Sequence, residues 1–429
     1  MPVKILSWKD HEFLKAVDAV CQRATQQNAK VEKSVQAILN AVRREGDKAV
    51  QRLTQRFDGI RIRPDELRVS QQEIYEAYTA LPKADTAALQ YAARRIRTFH
   101  RKQRRTTWTY RKDGIQLGQM ITPLDAVGVY VPGGKAVYPS TVLMNAIPAK
   151  VAGVGRVAMC TPTPSGSIHP SLLVAADIAG VDEIYRVGGA QAIGALAFGT
   201  TSISKVDKIV GPGNLYVATA KRLVYGSVDI DMIAGPSELL VVADSASNPS
   251  HVAADLLCEA EHDEEARVYL VTTSMPLAKR VVKEVNRQLA ELGRQEIASQ
   301  AIGAYAMAFV VRSVEEAFAL ANQIAPEHLS LNMTNAFTYL PRIRHAGAIF
   351  VGRYTPPAVA DYVAGPNHVL PTGGSARFFS SLGVDEFIKR SNVVAYSQAA
   401  LNKAKRSVVR LAMLEGLDAH GRCMESRWT

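Results

Sequence analysis

The sequence predicts an α/β fold: two Rossmann-like parallel-sheet domains, with a helical N-terminal region before them and a helical C-terminal tail after them. Three observations lead to it. From about residue 126 onward, short apolar segments of strand length alternate with longer segments of helical character, a rhythm that covers both faces of a parallel sheet with helices. The alternation runs twice, with the break near residue 237. Residues 1–125 and 381–429 carry helical periodicity instead.

In the N-terminal region, Val31, Val35, Ile38, Leu39 and Val42 fall on one helical face, and Pro64 and Pro82 punctuate the segment. The first α/β domain, residues 126–236, has strands at 126–131, 156–161, 183–187 and 208–210. Helices at 140–154, 169–179, 190–198 and 214–225 lie between and after them. The second, residues 237–380, has strands at 238–243 and 267–273 flanking a helix at 250–262. A polar helix at 275–292, a strand at 307–311, a helix at 314–323 and a strand at 346–351 follow. A Pro- and Gly-rich loop at 355–374 closes the domain, and residues 381–429 read as a helical tail. No short-period repeat or low-complexity tract interrupts this plan.

A chain of 429 residues is too long for one ordinary core, and 47% hydrophobic with 21% charged residues excludes a disordered or fibrous protein. No apolar run is long enough to cross a bilayer, so no membrane partner is expected. Residues 1–10 lack the apolar core of a secretion signal, which makes the cytoplasm the expected location. Cys21, Cys160, Cys258 and Cys423 lie far apart and form no Cys-x-x-Cys pair, so any metal should be held by His and carboxylates. Much of the net charge of +11 comes from the run 94–105. That run reads as a solvated helix face, or next as a patch attracting an anionic cofactor. No RNA-binding motif accompanies it, so no nucleic-acid partner is expected.

Gly153-Val-Gly155-Arg-Val-Ala158 formally matches a dinucleotide fingerprint. The fingerprint needs a strand before it and a helix after it, and here the order is reversed. Better placed are Gly188-Gly189-Ala190-Gln191 and Gly211-Pro-Gly213-Asn214, each after a strand and opening a helix, where free N–H groups favour phosphate. Tyr130-Val-Pro-Gly-Gly134 closes a third strand of the same half. Each could be a plain turn; together they outline a crevice at the carboxyl end of one sheet. For a metal, Glu259 and His262 stand three apart on a helix and share a face. Asp361 and His368 lie in the loop at 355–374, Glu415 and His420 in the tail, and Glu327-His328 at a helix exit leading into a strand. These donors suit zinc, although none of the constellations is specific alone.

Longer motifs carry a resemblance. Gly128-Val-Tyr-Val-Pro-Gly-Gly-Lys-Ala-Val-Tyr-Pro-Ser-Thr-Val-Leu-Met144, Val187-Gly-Gly-Ala-Gln-Ala192, Lys208-Ile-Val-Gly-Pro-Gly-Asn214 and Ile230-Asp-Met-Ile-Ala-Gly-Pro-Ser-Glu238 resemble the signature stretches of histidinol dehydrogenases. Ala325-Pro-Glu-His-Leu329 and Gly365-Pro-Asn-His-Val-Leu-Pro-Thr372 continue the match in the same order. The resemblance implies NAD-dependent, zinc-dependent oxidation of L-histidinol through L-histidinaldehyde to L-histidine, with two NAD consumed, as the last step of histidine biosynthesis. It puts the metal ligands on Glu259, His262, Asp361 and His420, with one Zn²⁺ per subunit, and the catalytic pair on Glu327 and His328. Substrate contacts fall on Ser237, His368 and Glu415 beside the ligands and the catalytic pair, and NAD contacts on Tyr130, Gln191 and Asn214. It also implies a homodimer in which the tail completes the partner's active site. Glu259 stands where the family usually has Gln, and Cys258 where it usually has Ser. The readings set against it are a member acting on another amino alcohol or diol, and a basic nucleic-acid-binding protein without catalysis.

Overall fold

The computed structural model describes residues 3–23, 29–133, 137–164 and 166–428. Strand β1 (Lys4–Ser7) comes first, and β2 (Trp108–Lys112) and β3 (Ile115–Pro123) follow a set of helices. Next come β4 (Ala126–Tyr130), β5 (Arg156–Cys160), β6 (Glu183–Tyr185), β7 (Lys208–Val210) and β8 (Asp229–Ile230). After them lie β9 (Glu238–Ala243), β10 (Arg267–Thr272), β11 (Met307–Val310), β12 (His328–Asn332) and β13 (Ala348–Val351), and β14 (Ile388–Tyr396) is last.

Two parallel sheets result, as the alternating pattern predicts. The first has the order β6-β5-β4-β7-β8. Every residue of β4 is buried, and its period-two alternation divides the apolar contacts between two faces. Val127 and Val129 pack with Leu143, Ile147 and Ile96, while Ala126 and Tyr130 pack with Ile193, Leu196 and Leu39. Helices of the N-terminal region therefore cover both faces of this sheet: Lys83–Arg101 on one and Ala29–Glu45 on the other. Gly153 and Gly155 follow the helix Pro139–Ala152 and precede β5, the order opposite to a dinucleotide fingerprint.

The second sheet has the order β1-β11-β10-β9-β12-β13. Leu239 and Val241 face the helix Pro249–Ala260, and Leu240 and Val242 face the helix Val314–Ile324. The N-terminal region is thus not wholly helical: Lys4–Ser7 pairs in parallel with Met307–Val310 at the edge of this sheet. Val3 and Leu6 enter opposite cores, but four residues are too few for alternation to register in the sequence.

Residues 104–123 and 388–429 form a separate compact unit. Its antiparallel sheet has the order β14-β3-β2, followed by the helices Gln398–Leu414 and Asp418–Glu425. The tail expected to be helical from residue 381 therefore holds a nine-residue strand ahead of its helices. Among the described residues, no helix is long and apolar enough to cross a membrane.

Candidate active site

The acidic and imidazole side chains singled out by the sequence gather at the amino-terminal edge of the second sheet. β9 and β12 are parallel neighbours in register, His328 opposite Leu239, so Glu238 and Glu327 stand side by side just before that row. The helix Pro249–Ala260 runs back from the carboxyl edge and brings Glu259 and, just past its end, His262 to the same place. A helix C-terminus carries partial negative charge and favours a cation beside it. After β13, the segment expected as a loop folds in part into the short helix Pro357–Tyr362, which carries Asp361, and His368 follows it; the His368 Nδ1–H donates to the Asp361 carbonyl at 3.0 Å.

Within this group His328 Nδ1 lies 3.3 Å from a Glu259 carboxylate oxygen and 3.8 Å from Glu327 Oε2. It donates to the Glu238 carbonyl at 3.0 Å, and the imidazole stacks on Phe350 with centroids 5.6 Å apart. All three partners of Nδ1 are acceptors, which assigns the proton to Nδ1 and leaves the lone pair on Nε2. Glu327 Oε2 accepts from the Glu238 N–H at 2.9 Å. Glu259, Glu327 and His328 are buried, and among the described residues they form the group whose possible ligand atoms all lie within 4.8 Å of one another. His262 and Asp361 fall outside that tight group but act on its charges.

Burial raises the Glu259 carboxyl above its usual range, opposed by His262 and by a hydrogen bond from Ser237. Burial also raises Glu327 well above the usual range, and the Glu259 charge adds to the effect. Asp361 is pushed up to about 6 by desolvation, with Glu259 adding to the rise and His328 opposing it. Desolvation lowers His328, keeping it neutral near pH 7, and lowers His368 to about 4. Three carboxylates with no Lys or Arg paired to them among the described residues form a site whose charge a divalent cation would balance. The carboxylate and imidazole donors fit zinc. Cys258, half-buried beside Asp361, has its thiol raised to about 12 by burial and by that charge, which makes it a poor nucleophile.

The second cluster lies at the carboxyl edge of the first sheet. The Tyr130 hydroxyl accepts from the Gly189 N–H at 3.0 Å where the helix Gly189–Phe198 begins. Gln191, 1% exposed, has neither amide atom hydrogen-bonded, and the same holds for the buried Thr161 and Thr163 hydroxyls. Unpaired buried polar atoms are costly, so their presence beside a helix N-terminus fits a polar, phosphate-bearing ligand such as NAD. Asn214 is engaged: its Oδ1 accepts from the Tyr216 and Val217 N–H groups and caps the helix Leu215–Val224. Gly211, at φ 110°, passes so close to Tyr130 that a Cβ would sit 2.1 Å from its carbonyl oxygen. A buried Lys221–Asp231 pair fixes that turn, Lys221 donating to the Gly211 carbonyl and Asp231 accepting from the Gly211 N–H. Gly134, the last residue of the turn after β4, lies outside the described residues, as do Lys135 and Ala136 of the same motif.

A family model described as histidinol dehydrogenase matches residues 21–428. The histidinol dehydrogenase of Syntrophotalea carbinolica is 53% identical over 426 residues, covering 99% of each chain. That of Geobacter sulfurreducens is 51% identical over 429 residues, covering 99% of this chain and 100% of its own. The chain belongs to the histidinol dehydrogenase family. The crystal structure of the histidinol dehydrogenase from Elizabethkingia anophelis matches it with a TM-score of 0.94 at 36% identity, over 99% of this chain and 98% of that one. Membership in the histidinol dehydrogenase family makes the chain an oxidoreductase, and the α/β fold agrees with it.

Of the sequence-derived site residues, Ser237, Glu259, His262, Glu327, His328, Asp361 and His368 meet at the sheet edge through the contacts above. Tyr130, Gln191 and Asn214 mark the other cluster. Glu415 and His420 lie in the smaller unit, at the end of the helix Gln398–Leu414 and in the helix Asp418–Glu425, both exposed. In the sequence Glu238 stands only as the end of a motif, and no pattern marks Arg23 or Asp255. The buried Glu238 touches both Glu327 and His328 through its backbone, which no side-chain pattern signals.

Proposed function

We propose that the chain oxidises L-histidinol to L-histidine through L-histidinaldehyde, reducing two NAD, as the final step of histidine biosynthesis in the cytoplasm. The observation that carries the reading is the pairing of a neutral, buried His328 with a buried Glu327 beside a carboxylate-rich cluster suited to a divalent cation. We assign one Zn²⁺ per subunit to Glu259, His262, Asp361 and His420, the last from the partner subunit of a homodimer. Large apolar side chains exposed on the smaller unit, Leu411, Met413, Leu414 and Leu417, support a second copy as the partner. When bound, zinc would supply the charge that anchors the imidazole and amine of the substrate, and NAD would supply the hydride acceptor.

The protein's own groups then divide the work. His328, with its Nε2 lone pair free, takes the proton from the alcohol oxygen as hydride leaves the carbon that bears it. The aldehyde must gain water before it can give up a second hydride, and the Glu327 carboxylate takes the proton from that water. Ser237, His368 and Glu415 of the partner subunit orient the substrate, and Tyr130, Gln191 and Asn214 hold the dinucleotide.

The test is an assay of purified protein with L-histidinol and NAD, with and without a zinc chelator. Two NADH should appear per histidine formed, and chelation should abolish both. One NADH per turnover with free histidinaldehyde accumulating would contradict the role of Glu327.

A further inference from the structure

We infer that the buried Arg23–Glu238 ion pair positions Glu327 and His328 for proton transfer, through the backbone of Glu238. The inference rests on the roles proposed above for those two residues.

Arg23 follows the helix Phe13–Cys21, which Val17 and Val20 anchor on the second sheet. Its Nε and Nη2 donate to Oε1 and Oε2 of Glu238 at 2.5 and 2.6 Å, and Nη1 donates to the Val20 carbonyl at 2.9 Å. The side chains are 0% and 2% exposed. A bidentate fork locks both carboxylate oxygens and so tethers the side chain of residue 238 to the end of the helix Phe13–Cys21. With the strand pairing on either side, that tether holds the N–H and C=O of residue 238 in place. The N–H donates to Glu327 Oε2 and the C=O accepts from His328 Nδ1. One residue thus orients the carboxylate and selects the tautomer that leaves Nε2 free.

Stability alone does not account for the pair. Removing two ions from water costs about as much as their attraction returns, and a well-packed neutral pair of similar volume often does as well. A neutral pair would lack the two-point grip. Preorganisation of reacting groups is the gain that the charged pair offers and a neutral pair does not.

The test compares the purified full chain with Arg23→Met/Glu238→Gln, which removes the ion pair and strands neither charge, and with Arg23→Lys, which keeps the charge but not the fork. One readout is steady-state oxidation of histidinol. The other is the ¹⁵N spectrum of histidine-labelled protein without substrate, with His328 identified by its loss in His328→Gln. The paired variant should stay folded and lose about ten- to a hundredfold in kcat, the cost of a displacement on the order of 1 Å. Its KM values should stay within about threefold, because substrate and dinucleotide contacts are untouched. His328 should lose its clean Nδ1–H signature, and Arg23→Lys should fall between the paired variant and the parent. A folded paired variant with parental kcat and an unchanged His328 signal overturns the inference. Should the paired variant not fold, Arg23→Lys decides by the same two readouts. Should the parent not oxidise histidinol, the functional reading fails, and the His328 signal alone decides this one.

Discussion

Glu259 is 2% exposed, at the last turn of its helix, with an oxygen 3.3 Å from His328. In the proposed zinc shell, a glutamine there would leave Asp361 and two histidines with one positive charge; the glutamate would make the shell formally neutral. One unit of charge at about 4 Å is worth roughly 4 kcal/mol even at an effective dielectric near 20. Glu259→Gln should therefore remain an active enzyme while losing zinc at a chelator concentration at least about tenfold lower. Following activity through a chelator titration of both proteins measures this, and equal midpoints would remove Glu259 from the shell. The residues legible in the sequence are those whose own side chains carry the roles proposed for them: Glu259, His262, Glu327, His328 and Asp361. Glu238 and Arg23 were not legible, because 215 positions separate them and the effect runs through a peptide group.

The helix Pro249–Ala260 presents Val252, Ala253, Leu256, Leu257 and Ala260 to the core, and Asp255 is buried among them at 8% exposure. Desolvation pushes its carboxyl up to about 7, against a hydrogen bond with Asn332 that lowers it. A raised folded-state value means that the folded chain holds this proton more tightly than the unfolded one. Stability is therefore fullest at acid pH and is lost as pH climbs from about 4 toward 7, where the buried group must ionise. Asp255→Asn should stabilise the protein above pH 7 by about 2–4 kcal/mol and make no difference near pH 4. Denaturant unfolding at the two pH values tests it; an equal effect at both would mean that Asp255 does not titrate in this range. Elements such as β4 and β9 were legible because strands buried on both faces are unbroken apolar runs. β2 is exposed throughout and β14 nearly so, and neither shows such a run. The signal for β2 lay in its turn: Asp113 and Gly114, at φ 51° and 79°, are the two-residue Asp-Gly hairpin loop that joins β2 to β3.

At the scale of the molecule, the proposed site draws on residues at both ends of the chain. Arg23 and Glu238 brace the proton-transfer pair at the second sheet, whereas Glu415 and His420 belong to a unit built from residues 104–123 and 388–429. The sequence could nominate Glu415 and His420 by resemblance, but no pattern within one chain says which copy they serve. Subunit complementation answers that. Glu327→Gln and His420→Asn should each be inactive alone, since one removes the proposed proton acceptor and the other a proposed zinc ligand. If the tail serves the partner, a mixed dimer places both lesions in one site and leaves the other intact. Co-expression of the two variants should then restore about a quarter of parental activity, half the dimers being mixed with one working site each. If the tail serves its own chain, every site in the mixed dimer carries one lesion and activity stays at the level of the single variants. That result, in dimers verified as mixed by differential tagging, would return Glu415 and His420 to their own subunit and leave the dimer interface without a catalytic role.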